Sequence, residues 1–210
     1  MTLQWVDLTI PMHNGMTVWP GDPPFSMEPD ARIAEGSEVN VSKLTLSTHT
    51  GTHVDAPWHF EDGGKKLDEI ATDVFFGEAG LVEAMDADVV SAADLGPSLL
   101  PSRLLVKTRN SKIPVNAPFR DDFVALDASA AQRCVDEGVR LVGVDYLSVE
   151  PLKHGGQSTH RILLQNDVLI VEGLLLHKLN PGRCQFVVAP LNLMDADGAP
   201  CRAFAGREPP

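Results

Sequence analysis

Between Thr48 and Phe60 the chain reads THTGTHVDAPWHF, and no other stretch limits its possible folds so sharply. Three of the seven histidines lie here, His49, His53 and His59. A helix would place His49 and His53 on one face at i and i+4, as in zinc-binding helices. The neighbouring residues oppose a helix. Thr48, Thr50, Thr52 and Val54 are β-branched, and Gly51 and Pro57 interrupt helical backbone. An extended chain is therefore expected, with His49, Gly51, His53, Asp55, Pro57 and His59 on one side and the threonines and Val54 on the other.

The missing side chain at Gly51 is expected to leave room for an ion between His49 and His53. Two imidazoles and a carboxylate suit Zn²⁺, with Mn²⁺ as the second choice, and leave a coordination position for water. An open site of that kind is catalytic rather than structural. The competing reading is a polar strand whose histidines hydrogen-bond one another and Asp55.

Around this segment the pattern is a mixed α/β domain. Strands are expected at Trp5–Ile10, Val39–Ser47, Leu104–Thr108, Val139–Val144, Val168–Val171 and Phe186–Leu193, with a last one at Cys201–Ala205 after a hairpin turn at Asp197-Gly198. Asp127 to Gly138 carries a capping Asp, helix-forming alanines and a terminal Gly, and Thr159–Asn166 offers a second helix. Ser91 and Asp94 mark a short capped turn. Residues 11–24 hold four prolines and two glycines and are expected to form a loop. The 210 residues suit a single domain, and no linker divides them. The formal charge of −12 sets aside nucleic acid and anionic membranes as partners. No apolar run approaches membrane-spanning length, and the start lacks a basic segment before an apolar one, so a cytoplasmic location is expected. Cys134, Cys184 and Cys201 are too scattered for a disulfide framework and read as buried thiols.

The string HTGTHVDAPWHF resembles the H-x-G-T-H-x-D-x-P-x-H-F signature of the cyclase-type metal-dependent hydrolases, the family that includes bacterial kynurenine formamidases and isatin hydrolases. VWPGDP at 18–23, GVDYLSVEP at 143–151 and THRILLQNDVLIVEGL at 159–174 resemble family segments in the same order. The resemblance implies an α/β fold with a mixed, barrel-like β core flanked by helices, assembly as a homodimer or homotetramer, and amide hydrolysis at one or two divalent ions. It implies that His49, His53 and Asp55 hold the first ion, and that Asp55 bridges to a second held by His160 and Glu172. It implies His59 as general acid/base and Trp19 as an aromatic wall of the substrate pocket. The implied substrate is a small amide, foremost an aryl formamide such as N-formyl-kynurenine in tryptophan catabolism. A cyclic amide of the isatin type is the alternative, and a metal-binding protein without turnover is a third reading.

Read on their own, these residues leave choices open. Glu172 ends an apolar strand, where a charge is costly unless paired or coordinated, yet it could reach solvent or Arg161. His160 could be an exposed helix-start residue, and Trp19 could pin the proline-rich loop to the core. Asp145 could support a ligating histidine or cap a turn. His13, His154 and His177 read as surface or supporting residues.

Overall fold

The chain is described by a computed structural model over residues 2–152 and 158–208. Its strands are β1 (Gln4–Asp7), β2 (Ser26–Ala31), β3 (Val41–Thr45), β4 (His53–Asp55), β5 (Phe76–Ala84), β6 (Arg103–Thr108), β7 (Leu141–Val144), β8 (Leu169–Glu172), β9 (Gly182–Pro190) and β10 (Gly198–Arg207). Two α-helices accompany them, α1 (Ala128–Asp136) and α2 (Ser158–Leu164), along with several 3₁₀ turns. The strands run in the order β10-β4-β8-β7-β6-β5-β9, and β9 pairs back onto β10 to close a seven-stranded mixed barrel. β1 lies beside the end of β10, while β2 and β3 form a separate hairpin.

β5 to β8 run parallel, and the middle of this set is nearly all apolar because both of its faces are covered. Leu105, Leu141, Leu169 and Val171 pack into one cluster on the inner face. Their neighbours Leu104, Val106, Val142, Val144 and Ile170 point the other way, against Ala130, Ala131 and Cys134 of α1 and Leu163 and Leu164 of α2. The inner face is tight at Gly143, where a Cβ would lie 2.6 Å from Leu174 Cδ1 and 2.7 Å from Leu105 Cδ2. As expected, Asp127 caps α1 by accepting from the amides of Ser129 and Ala130, at 2.8 and 3.0 Å.

The structure departs from the sequence expectations in several places. β5 was not anticipated, since its two glycines and two glutamates mask the strand pattern; it forms because β6 and β9 satisfy its backbone on both sides. β2 was also missed, and it survives its proline because it sits at the edge of the exposed hairpin. Asp197-Gly198 is not a two-residue turn. It ends a seven-residue connection, 191–197, between β9 and β10. All three cysteines are free and buried as expected, and burial pushes the Cys134 thiol up to about 12. Among the described residues, no helix is long and apolar enough to cross a membrane.

Candidate metal centre

β4 has only three residues, and its register decides what faces what. Antiparallel pairing sets His53 opposite Glu172 and Asp55 opposite Ile170. Val54 turns into the barrel core, so His53 and Asp55 point to the outer face with Glu172, beneath α2 and its His160. The expected single extended segment is therefore corrected. Only His53–Asp55 is strand. His49 arrives on a turn in which Thr50 N–H donates to the Ser47 carbonyl, and His59 arrives on a 3₁₀ turn, Pro57–His59. Strand parity failed outside β4 because Gly51 adopts φ +68° and Pro57 starts the 3₁₀ turn.

The side chains nonetheless converge. His49 Nδ1 lies 2.8 Å from Asp55 Oδ1, and His53 Nε2 lies 3.3 Å from the same oxygen. Glu172 meets His53 Nε2 at 3.5 Å through one oxygen and His160 Nε2 at 3.4 Å through the other. Val149 N–H donates to Glu172 Oε1 at 2.7 Å, which fixes the carboxylate. Glu172 thus faces the histidines rather than solvent or Arg161. His160 is buried, not an exposed helix-start residue, and Phe60 stacks on its ring at 4.3 Å.

Gly51 does not make room for an ion. A Cβ there would meet the methyls of Met12 and Met16 at 3.3 and 3.4 Å. Its left-handed backbone instead aims its carbonyl at His53 Nδ1, 3.0 Å away, and the Gly51 carbonyl is so close to Gly173 that a Cβ on Gly173 would lie 2.6 Å from it. Beneath the site, Thr52 donates its hydroxyl to the Gly173 carbonyl at 2.6 Å and accepts from Ile10 N–H at 2.9 Å, on the side opposite the histidines as expected.

Two contacts escaped the sequence reading. Glu150 Oε2 lies 2.9 Å from His160 Nδ1, and Asp197 Oδ2 lies 2.8 Å from His49 Nε2 and 3.7 Å from His59 Nδ1. Glu150 stands within the family-like segment GVDYLSVEP, which was its only signal; Asp197 was absorbed into a turn dipeptide. Asp145 proves to be the turn cap, accepting from Thr108 and Ser111 through both backbone and side chain, and no histidine among the described residues bonds to it. His13 bonds Asn116 Oδ1 at 2.9 Å on the surface, His177 is also exposed, and the reading of His154 lies outside the described residues.

Burial opposes the charged form of every group here, yet pairing prevails. Hydrogen bonds from His49 and His53 hold the Asp55 carboxyl well below its usual range. Glu172 is lowered by His160 and His53 against both burial and repulsion from Asp55. Asp197 is lowered by His49 and His59, while carboxylate partners raise His49 and His160 to about 9. Two buried carboxylates near each other need positive charge. Without an ion, imidazole protons supply it; with one, nitrogen and carboxylate oxygen form a donor set that a divalent cation fits. Among the described residues, three groups have mutually close ligand atoms: His49, His53 and Asp55; Asp55, His160 and Glu172; and His49, His59 and Asp197.

The centre floors a cavity of about 150 Å³ whose lining includes Trp19, His59, Phe60 and Leu147. Trp19 pins the loop to an aromatic cluster and also borders the cavity. Its ring packs edge-on against Phe119 and Phe123, with centroids at 5.2 and 6.2 Å.

A family model described as Putative cyclase matches residues 6–151. Kynurenine formamidase of Bacillus thuringiensis (strain Al Hakam) is 37% identical over 204 residues, 96% of this chain and 97% of that protein. The kynurenine formamidase of Bacillus anthracis matches at 37% over the same shares. A solved structure described as a potential metal-dependent hydrolase with cyclase activity superposes with a TM-score of 0.83 at 31% identity, covering 99% of this chain and all of that one. Isatin hydrolase A from Ralstonia solanacearum shares the fold, with a TM-score of 0.84 at 22% identity over 98% of this chain and 92% of its own. The closed barrel, the converging histidines and carboxylates, and a match that spans most of the sequence lead to one conclusion: the chain belongs to the Putative cyclase family.

Proposed function

We propose that the chain is a metal-dependent amidohydrolase that cleaves the C–N bond of a small aryl formamide of the N-formyl-kynurenine type, giving formate and the free amine. One observation carries this reading: buried Asp55 and Glu172 oppose buried His53 and His160 at the floor of a cavity that also holds the partly exposed His59. His49, His53 and Asp55 would hold one ion, and Asp55, His160 and Glu172 a second, with Zn²⁺ favoured and Mn²⁺ second. A divalent ion held by these residues would supply a Lewis acid for the amide carbonyl and would lower the pKa of water toward ~7.

The remaining work falls to side chains. His59 stacks on His49 at 3.9 Å with Nδ1 toward Asp197, and no hydrogen bond engages its Nε2 among the described residues. Its ring can accept a proton from the attacking water and deliver it to the amide nitrogen, a poor leaving group until protonated. Trp19, braced by Phe119 and Phe123, offers a flat apolar wall for an aryl ring. A structural metal site would need neither a free histidine nor an open cavity.

We place the reaction in the cytoplasm, with no nucleic-acid or membrane partner, and infer a homodimer or homotetramer. The β2–β3 hairpin supports assembly: Met27, Val41 and Leu44 are exposed on it, and a two-stranded hairpin is marginal alone in water. The test of function is a turnover panel for the Zn²⁺- or Mn²⁺-loaded chain with N-formyl-kynurenine, formanilide and isatin. Formamides should be hydrolysed fastest. Opening of isatin with formanilide left intact would move the assignment to cyclic amides, and binding of metal without any turnover would leave a metal-binding protein.

A further inference from the structure

The histidines of the centre do not commit the same ring nitrogen to their fixed acceptors. His53 and His160 use Nδ1, against the Gly51 carbonyl at 3.0 Å and Glu150 Oε2 at 2.9 Å, which leaves both Nε2 atoms facing Glu172. His49 is reversed. Its Nε2 meets Asp197 Oδ2 at 2.8 Å, and its Nδ1 meets Asp55 Oδ1 at 2.8 Å. Asp55 is the corner shared by two of the three donor groups, so Nδ1 is the nitrogen of His49 that faces the centre. A ligating imidazole keeps its other N–H on an acceptor, which fixes its tautomer and orientation.

We infer that Asp197 is a positioning residue: by accepting the Nε2–H of His49 it holds that ring, on which His59 stacks, as an Nδ1 ligand. The carboxylate has a built seat. Ala56 N–H donates to the Asp197 carbonyl at 2.9 Å, and the next residue, Gly198, pairs with Asp55 so closely that a Cβ on it would lie 2.4 Å from the Val54 carbonyl and 3.1 Å from His49 Cε1. The end of the β9–β10 connection is thus pressed against the centre.

This inference rests on the proposed metal centre, and the test separates the two. Long-range ¹H–¹⁵N spectra of the ¹⁵N-labelled, Zn²⁺-loaded chain report which nitrogen of each histidine is protonated. His49 should bind through Nδ1 and keep its proton on Nε2, with His53 and His160 the opposite way round. Asp197→Asn, close to isosteric, should bind the same number of ions with affinity lowered about 10- to 100-fold in chelator competition. Asp197→Glu, which restores the charge, should recover part of that loss if Asn perturbs folding. Asp195→Asn, on the same connection but with its carboxylate on the exposed side against Lys66, should bind as the wild type does. Coordination of His49 through Nε2, or undiminished affinity in Asp197→Asn, would overturn the inference. Loss of a whole ion at saturation would make Asp197 a ligand and overturn it as well. A wild-type chain that takes up no metal would sink the proposed centre itself.

Discussion

Replacing His59 by Ala separates proton transfer from metal binding. The ring is 28% exposed and sits between His49, stacked at 3.9 Å, and Phe60, edge-on at 4.5 Å. Its nearest charged partner among the described residues is Asp197, with Nδ1 3.7 Å away, beyond hydrogen-bonding range. Truncation should therefore cost about 1 kcal/mol of folding stability, within the usual span for a partly exposed side chain. The catalytic loss should be larger. A positioned general acid/base contributes about 10²- to 10⁴-fold, or about 3 to 5 kcal/mol of barrier. The assay is kcat/KM on formanilide and on an activated aryl ester, with elemental analysis of bound metal. The variant should keep its metal and lose most on the anilide, because the ester's leaving group needs no proton. Equal losses on both substrates would refute the leaving-group role, and loss of an ion would make His59 a ligand.

Glu172→Gln should lower bound metal by about one ion per chain while Asp55→Asn disturbs both positions, and a wild-type chain that saturates at one ion would refute the shared corner. Metal affinity should rise with pH: His49 and His160 stand at about 9 without an ion and must shed protons to bind it, so titration calorimetry should show proton release at pH 7 that fades above 9. The same raised values stabilise the metal-free fold fully below about 6.5, the unfolded value, and that contribution is lost as pH rises through about 9; a flat metal-free Tm over this window would contradict the pairing. Gly173→Ala, at φ +69° and with its Cβ 2.6 Å from the Gly51 carbonyl, should cost more than about 1 kcal/mol and lower Tm by several degrees; an unchanged Tm would contradict the close approach.

The reach and the limits of the sequence have physical causes. The apolar runs around Leu105, Val142 and Ile170 were legible because strands covered on both faces leave no polar interruption. β5 was not, because its two glutamates, five residues apart, fall on opposite faces and its glycines erase the alternation, so that its strand state rests on neighbours distant in sequence. The site showed the same division. His49, His53 and Asp55 were found together by local density, and they do converge, but through a turn and a three-residue strand instead of one extended face. His160 and Glu172 came from family resemblance, and the β4–β8 register with α2 above it brings them in. Nothing local marked Asp197, which lies 148 residues from the His49 ring it touches. Contacts across such separations belong to topology.

Turnover of N-formyl-kynurenine measured against bound metal tests the central claim most directly. The chain is stripped by chelation, its metal content verified by elemental analysis, and Zn²⁺ or Mn²⁺ returned stepwise. Hydrolysis should be absent from the stripped chain, rise with bound ion and level off at one or two equivalents per chain. Undiminished hydrolysis by protein shown to be free of metal would contradict it.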